Sequence, residues 1–320
     1  MYMKFHQLKI VALISLALFG VVFNSCQKAF NMIVDVDIPH KPMLAIEYNV
    51  TLLDSAFGPF LYPISISPTA PLTTPGNIMQ LSTAIVKISE NGILVDSFGH
   101  QFPDGYQPSF TNYKPGNLYT LKVEAPGYES VESTEIVPGK PEVQVVSLVK
   151  NARRFGANSG NNSMEWYDEI KLKITDNAAS RDFYTIDLYR ADQGGYTSVC
   201  KVIQDPVIDE EIGGDEDPGS TNFCRYRKLY IQDVSFNGLS KELTILAANG
   251  NFSQEPSLRD YKWLIYLENL SESAYKFERT KQLYDFNDGN PFAEPVQIYN
   301  NIKNGVGIFS FKHVLIDSLQ

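Results

Sequence analysis

The sequence predicts a mainly β protein: an N-terminal immunoglobulin- or transthyretin-like antiparallel sandwich, followed by a larger antiparallel β domain carrying one helix. Three observations predict it. Aromatic residues are plentiful, with 18 Tyr and 19 Phe, and they favour a pleated, half-buried backbone. Alternating apolar and polar runs recur between Asn-Gly, Pro-Gly and Pro-rich punctuation, at the spacing of successive strands. Stretches rich in Ala, Leu, Glu and Lys, which would sustain helices, are scarce.

Residues 1–25 read as a secretion signal. Lys4 and Lys9 form a basic head, and Ile10 to Phe23 is an apolar run short of the roughly 18–20 residues that a membrane span needs. Phe23-Asn24-Ser25-Cys26 then resembles a bacterial lipobox, in which the thiol is diacylated and Cys26 begins the mature chain. The alternative is an ordinary signal with an incidental cysteine. Two acyl chains suffice for stable anchoring, where one is marginal. Residues 26–34 read as a tether.

The first globular domain is expected over 35–138. Val34, Val36 and Ile38 alternate with Asp35 and Asp37, and Met43 to Thr51 is a second candidate strand. Proline density from Leu53 to Gly76 predicts an exposed loop with a short edge strand at Tyr62 to Ser67. Thr83 to Glu90, Asn91-Gly92 and Ile93 to Phe98 predict a hairpin, because a type I′ turn needs positive φ at both central residues. Tyr119 to Glu124 runs into the turn Ala125-Pro126-Gly127-Tyr128, and Glu129 to Val137 returns. Pro138-Gly139-Lys140-Pro141 marks the boundary.

The second domain, 139–320, continues with strand patterns at Glu142 to Lys150, Ile170 to Ile174, Phe183 to Tyr189, Tyr196 to Ile203, Phe223 to Gln232, Glu242 to Ala248 and Tyr261 to Leu270. Ser271 is a good N-cap for a helix near 271–284, with Ala274, Phe277 and Tyr284 on one face. Pro295 to Asn300 and Val306 to Val314 are expected as closing strands.

A composition 43% hydrophobic and 20% charged is that of a folding chain rather than a disordered one. Loss of Lys4 and Lys9 with the signal takes the formal charge from −10 to −12. That acidity argues against nucleic acid and against electrostatic docking on anionic headgroups, leaving attachment to the acyl chains on Cys26. Beyond Cys26, Cys200 and Cys224 are the one pair open to a disulfide, worth on the order of 3 kcal/mol in the chain-entropy model. Two reduced, separately buried thiols are the alternative.

Catalytic patterns are thin. The chain has no Gly-x-Ser-x-Gly. Ser-x-x-Lys occurs at Ser147/Lys150, Ser198/Lys201 and Ser273/Lys276 without its usual companions. His40, His100 and His313 are far apart and show no metal-ligand spacing with the cysteines. The acidic block between the cysteines is expected to be a solvated, self-repelling loop. A calcium reading of that block would use Asp205, Asp209, Glu211, Asp215 and Asp217, although their spacing is not that of an EF-hand. Asp285 to Gly289 is expected to be a turn ending the helix. Trp166, Tyr167, Trp263 and Tyr266 suit either sugar stacking or a core. No enzyme activity is expected, and no cofactor beyond that calcium.

Four segments together resemble a family of Bacteroidetes lipoproteins known as domain of unknown function 4249. They are Cys26-Gln27-Lys28 with Val34 to Pro39, Tyr119 to Tyr128, Val234-Ser235-Phe236-Asn237-Gly238, and Asn290 to Phe309, in which Pro291, Pro295, Phe292, Gly305 and Gly307 have ready structural roles. The resemblance implies partnership with TonB-dependent, SusC-like outer-membrane receptors. The expected function is therefore a lipid-anchored outer-membrane accessory for nutrient capture or uptake, on the cell surface or the periplasmic face. A surface adhesin or assembly subunit is the alternative. A cell-envelope hydrolase would need a polar pocket with converging carboxylates in the second domain.

Overall fold

The computed structural model describes residues 40–53, 60–71, 80–156, 164–193, 195–203, 205–209, 228–253, 260–287 and 293–319. The described residues from Pro42 onward, Pro71 apart, fall in one compact unit. The protein is mainly β, with sixteen strands, a short 3-10 turn and one α-helix among the described residues.

A large sheet holds β10 (Phe183–Asp192), β15 (Lys262–Leu270), β16 (Val306–Leu319) and β1 (Leu44–Leu53) as neighbours in that order. β11 (Gly195–Ser198) and β13 (Lys228–Gln232) pair with β10, while β2 (Phe60–Leu61) and β3 (Ser65–Pro68) pair with β1. A second sheet runs β12 (Lys201–Val202), β14 (Ser240–Ala248), β9 (Met164–Thr175), β8 (Glu142–Gly156). The third runs β5 (Ile93–Gly99), β4 (Ile85–Glu90), β6 (Leu118–Glu124), β7 (Val131–Ile136).

Alternation along the large sheet directs its two faces to different tasks. One face carries both main cores. Leu44, Ile46, Tyr48 and Val50 of β1 and Phe309 and Phe311 of β16 pack with Val86, Ile88, Leu121 and Val123 of the third sheet. Ile186 and Leu188 of β10 and Trp263, Ile265 and Leu267 of β15 pack with Ile170, Leu172, Leu243 and Ile245 of the second. On the other face lies the helix α1 (Glu272–Asn287), where Ala274 and Tyr275 cluster with Phe183, Tyr230 and Leu270.

Strands on both sides of Pro138–Pro141 share the large sheet. The layer opposing β4–β7 holds β1, β2 and β3 and is extended by β16, from the far end of the chain. β1 and β16 also pair in parallel, Ala45 with Val306 through Leu53 with Val314, which departs from the antiparallel rule of the remaining pairs. Gly307 makes that approach possible: its φ is +120°, and a Cβ there would lie 1.8 Å from the Ile46 carbonyl oxygen. A Cβ on Gly305 would meet the Leu44 carbonyl oxygen at 2.6 Å.

Local expectations meet mixed outcomes. Asn91 and Gly92 both take positive φ, and β4 and β5 form the expected hairpin. Ser271 Oγ accepts the Ala274 N–H at 3.4 Å, so the N-cap holds. Tyr284, however, is exposed, and Tyr275 takes the buried place instead. The helix runs through Asp285, Phe286 and Asn287, which were expected in a turn. Pro295 to Asn300 forms no strand. Beside it, the Asn301 side chain imitates a strand partner, donating Nδ2–H to the Phe309 carbonyl at 2.7 Å and accepting the Phe309 N–H at 3.0 Å.

Candidate functional site

α1 covers only part of the open face of the large sheet. The uncovered part is a cleft of about 720 Å³, within the range of small-molecule sites. Glu47, Asn49 and Thr51 of β1 and Ser310, Lys312 and Val314 of β16 line it, as do Tyr266 and Glu268 of β15. α1 contributes Ala274, Phe277 and Glu278, and the segment between β2 and β3 contributes Tyr62 and Pro63. Each β1 residue here alternates with a core residue, so the strand that builds the first core also lines the cleft.

Two hydrogen-bonded groups organise the polar lining. Ser310 Oγ–H donates to Asn49 Oδ1 at 2.6 Å, and Asn49 Nδ2–H donates to Glu47 Oε1 at 3.3 Å. Glu268 forms the second group. It accepts Thr185 Oγ1–H at 2.7 Å, Lys228 Nζ at 2.5 Å and Lys312 Nζ at 3.2 Å. Burial pushes the Glu268 carboxyl up, but the two ammonium groups outweigh it and hold it at about 2. Lys228 also reaches Glu278 at 3.1 Å, where the Tyr230 hydroxyl donates at 2.9 Å. Burial would lower the Lys228 ammonium, yet Glu278 and Glu268 raise it above its ordinary range. A carboxyl held at about 2 is ionised at neutral pH and does not serve there as a proton donor.

A separate acidic cluster lies beside the 3-10 turn Asp233–Ser235. Carboxylate oxygens of Asp176, Asp182 and Asp233 are all within 4.8 Å of one another and buried. Protein donors occupy them: Tyr184 Oη–H and Gly238 N–H on Asp176, Asn269 Nδ2–H and Ser180 Oγ–H on Asp182, and the Asp182 N–H on Asp233. Burial first, then the Asp176 and Asp182 charges, push the Asp233 carboxyl up. These are hard oxygen ligands of the kind calcium takes, from residues outside the block to which the calcium reading was assigned. Val234 to Gly238 thus has a structural role: Phe236 is buried, and Gly238, at φ +72°, sits where a Cβ would lie 2.6 Å from the Ala178 Cβ.

Of the residues singled out in sequence, Asp205 pairs with Lys241 at 2.9 Å, and Asp209 accepts the Tyr275 hydroxyl. Glu211, Asp215, Asp217, Cys224 and Cys26 lie outside the described residues. Cys200 is disulfide-bonded. Ser198 and Lys201 both bind Asp187, at 3.2 and 2.6 Å. The buried Lys201 ammonium is therefore a counter-ion rather than a base for the serine. His100 packs edge-on against Tyr106, and His313 lies on β16 opposite Leu52 and Asn269. The aromatic set divides. Tyr266 lines the cleft, Trp166 donates Nε1–H to the Ser253 carbonyl at 3.1 Å, and Tyr167 and Trp263 are buried.

Trp263 belongs to a closed polar node. Asp168, wholly buried, accepts Trp263 Nε1–H at 2.9 Å and the Tyr261 hydroxyl on one oxygen. The other accepts Asn249 Nδ2–H at 2.8 Å and the Asn151 N–H at 2.9 Å. Sequence reading missed both Asp168 and the cleft. A usable signal existed for each: an acid set among apolar or aromatic residues of a strand (Asp168, Glu268), and the regular polar positions Glu47, Asn49 and Thr51.

Among the described residues, no helix is long and apolar enough to cross a membrane. No curated protein matches the chain. Two solved structures share distant similarity. A membrane-anchored protein from Corynebacterium diphtheriae is 9% identical, with 84% of this chain and 60% of that one covered and a TM-score of 0.21. The BSP domain of a biofilm-associated protein is 9% identical, with 89% and 62% covered and a TM-score of 0.17. The chain thus spans less than two thirds of the length of either. Residues 58–315 match the family described as Domain of unknown function (DUF4249), and this range contains three of the four segments that carried the resemblance. The chain belongs to that family.

Proposed function

We propose that this protein is a lipid-anchored binding protein of the outer membrane that presents the cleft between α1 and Tyr62 to a nutrient and works beside a TonB-dependent receptor. The observation that carries the binding reading is the cleft itself. It is of ligand size, and polar groups set into a largely apolar lining are arranged by Ser310, Asn49 and Glu47 in one group and by Glu268 with two lysines in another. Anchoring rests on the signal pattern ending at Cys26, and the receptor partnership on the family resemblance.

Two measurements test the parts separately. Cys26→Ala is expected to move the protein out of the outer-membrane fraction; a variant that still fractionates with that membrane would refute lipid anchoring. Purification of the wild-type chain from detergent-solubilised outer membranes is expected to bring a TonB-dependent receptor with it. Repeated recovery of the chain alone, under conditions that keep known receptor complexes intact, defeats the partnership.

A further inference from the structure

We infer that the cleft takes a neutral, hydroxyl-rich ligand, a saccharide, with Tyr62 as its stacking platform and Glu47 and Asn49 as its hydroxyl-binding pair. This rests on the reading of the cleft as the capture site and adds the ligand class.

Charge narrows the class first. Lys312, the cationic residue lining the cleft, and Lys228 beside it are both committed to Glu268, and Lys228 to Glu278 as well. An anionic ligand would have to compete with a largely buried carboxylate for its lysines, weakening the pairing of that charge. Glu47 is exposed on β1, and its described partner is the neutral Asn49 amide. Among the described residues, the lining thus offers carboxylate, amide and hydroxyl groups, and its lysine is already paired.

Hydrogen-bond capacity narrows it further. Ser310 occupies Asn49 Oδ1, which leaves the second Nδ2–H to donate, while Glu47 keeps lone pairs for hydroxyl donors. Thr51 and Ser65 add hydroxyls to the same lining. A carboxylate beside an amide donor suits neighbouring hydroxyls, each of which both donates and accepts. Aromatic surfaces complete the match. Tyr62 is 61% exposed on one side of the cleft, with Tyr266 and Phe277 elsewhere in its lining. A pyranose has apolar C–H faces and a polar rim, which suits aromatic walls over a polar floor. A cationic peptide would use Glu47 by charge instead, and its binding would weaken steeply with salt.

The test uses the full-length acylated chain in a zwitterionic detergent that carries no sugar. The probes are neutral trisaccharides of glucose, galactose, mannose and xylose, with trilysine as the cationic comparison, measured by titration calorimetry. At least one trisaccharide is expected to bind, with little dependence on salt. Tyr62→Ala and Asn49→Ala are each expected to weaken it about tenfold. Tyr196→Ala, at a residue 74% exposed on β11 and outside the cleft, should leave it unchanged. Thermal unfolding of all three variants should match the wild type, which separates lost contacts from lost fold. Failure of every trisaccharide to bind overturns the inference. So does binding that ignores both cleft variants, or trilysine binding more tightly in a salt-sensitive way. If a receptor co-purifies while no saccharide binds, the ligand class falls and the accessory reading stands; saccharide binding without a receptor has the reverse meaning.

Discussion

Asp168 and Glu268 are both carboxylates drawn out of water on strands of facing sheets, and the protein stabilises them in opposite ways. Asp168 is sealed, and four neutral donors from Asn151, Asn249, Tyr261 and Trp263 complete its hydrogen bonding. Those donors come from β8, the loop after β14, the residue before β15, and β15 itself, so one side chain ties the second sheet to the large one. Glu268 is held by charge, between Lys228 and Lys312, at the edge of an open cleft. Neutral donors close a site, because none of them needs water. Ammonium groups gain from solvent, and a carboxylate that relies on them stays near the surface. The first arrangement builds architecture, while the second consumes the cleft's cations and so sets what the cleft can bind.

The comparison can be broken most severely at Asp168. Asp168→Ala should orphan four donors and open a small cavity, at a cost of about 4 kcal/mol or more, read as a large drop in the denaturant midpoint. Asp168→Asn, which keeps the shape and loses acceptors, should recover part of that loss. Equal stability of Asp168→Ala and wild type would show the node to be ornamental.

Glu268→Gln should cost less, on the order of 2–4 kcal/mol, because Lys228 keeps Glu278 and Lys312 can turn toward water. It should also remove an acid-labile contribution. The folded Glu268 carboxyl lies at about 2 against an unperturbed 4.5. Its contribution is therefore complete above roughly 4.5 and fades as pH falls toward about 2. The difference in stability between wild type and Glu268→Gln should shrink over that window. A difference constant with pH would contradict the ion-pair account.

Asp233 sharpens the contrast from the other side, since its neighbours Asp176 and Asp182 are themselves acids. Its carboxyl is raised above the ordinary 3.8, so the folded chain binds more protons there than the unfolded one. Stability accordingly falls as pH rises through the raised value. Asp233→Asn keeps an oxygen for the Asp182 N–H and carries no charge. It should match the wild type in acid and exceed it in stability at neutral pH. A variant less stable at neutral pH would mean that the ionised carboxylate is required.

Tyr62→Ala should have the smallest effect on stability, within about 0.5 kcal/mol, as expected for a largely exposed side chain. A substantial loss would assign Tyr62 to packing rather than to the open wall of the cleft.

Much of the fold was legible because its causes are local. Positive φ at Asn91 and Gly92 specifies a hairpin, Ser271 caps a helix, and the alternation in Met43 to Thr51 separates Ile46, Tyr48 and Val50 from Glu47, Asn49 and Thr51. The helix face was misjudged for a tertiary reason. Tyr275 is buried because Phe183 and Tyr230 meet it, and helical spacing alone does not distinguish it from Tyr284. Pro295 to Asn300 read as a strand because its residues suit extended backbone, yet neighbouring side chains, rather than a ladder, hold that part of the chain.

The sequence by itself determined the β character, the hairpin turn at Asn91-Gly92, the helix start and the acidic balance, since each follows from local residues or from composition. Only the tertiary structure decided that β1 lies parallel to β16 and that Glu47, Asn49, Ser310 and Glu268 share one cleft. The physical reason is that alternation reveals a polar face without revealing what covers it. What lies opposite that face depends on which distant apolar faces bury one another, and on whether a glycine such as Gly307 lets two backbones approach.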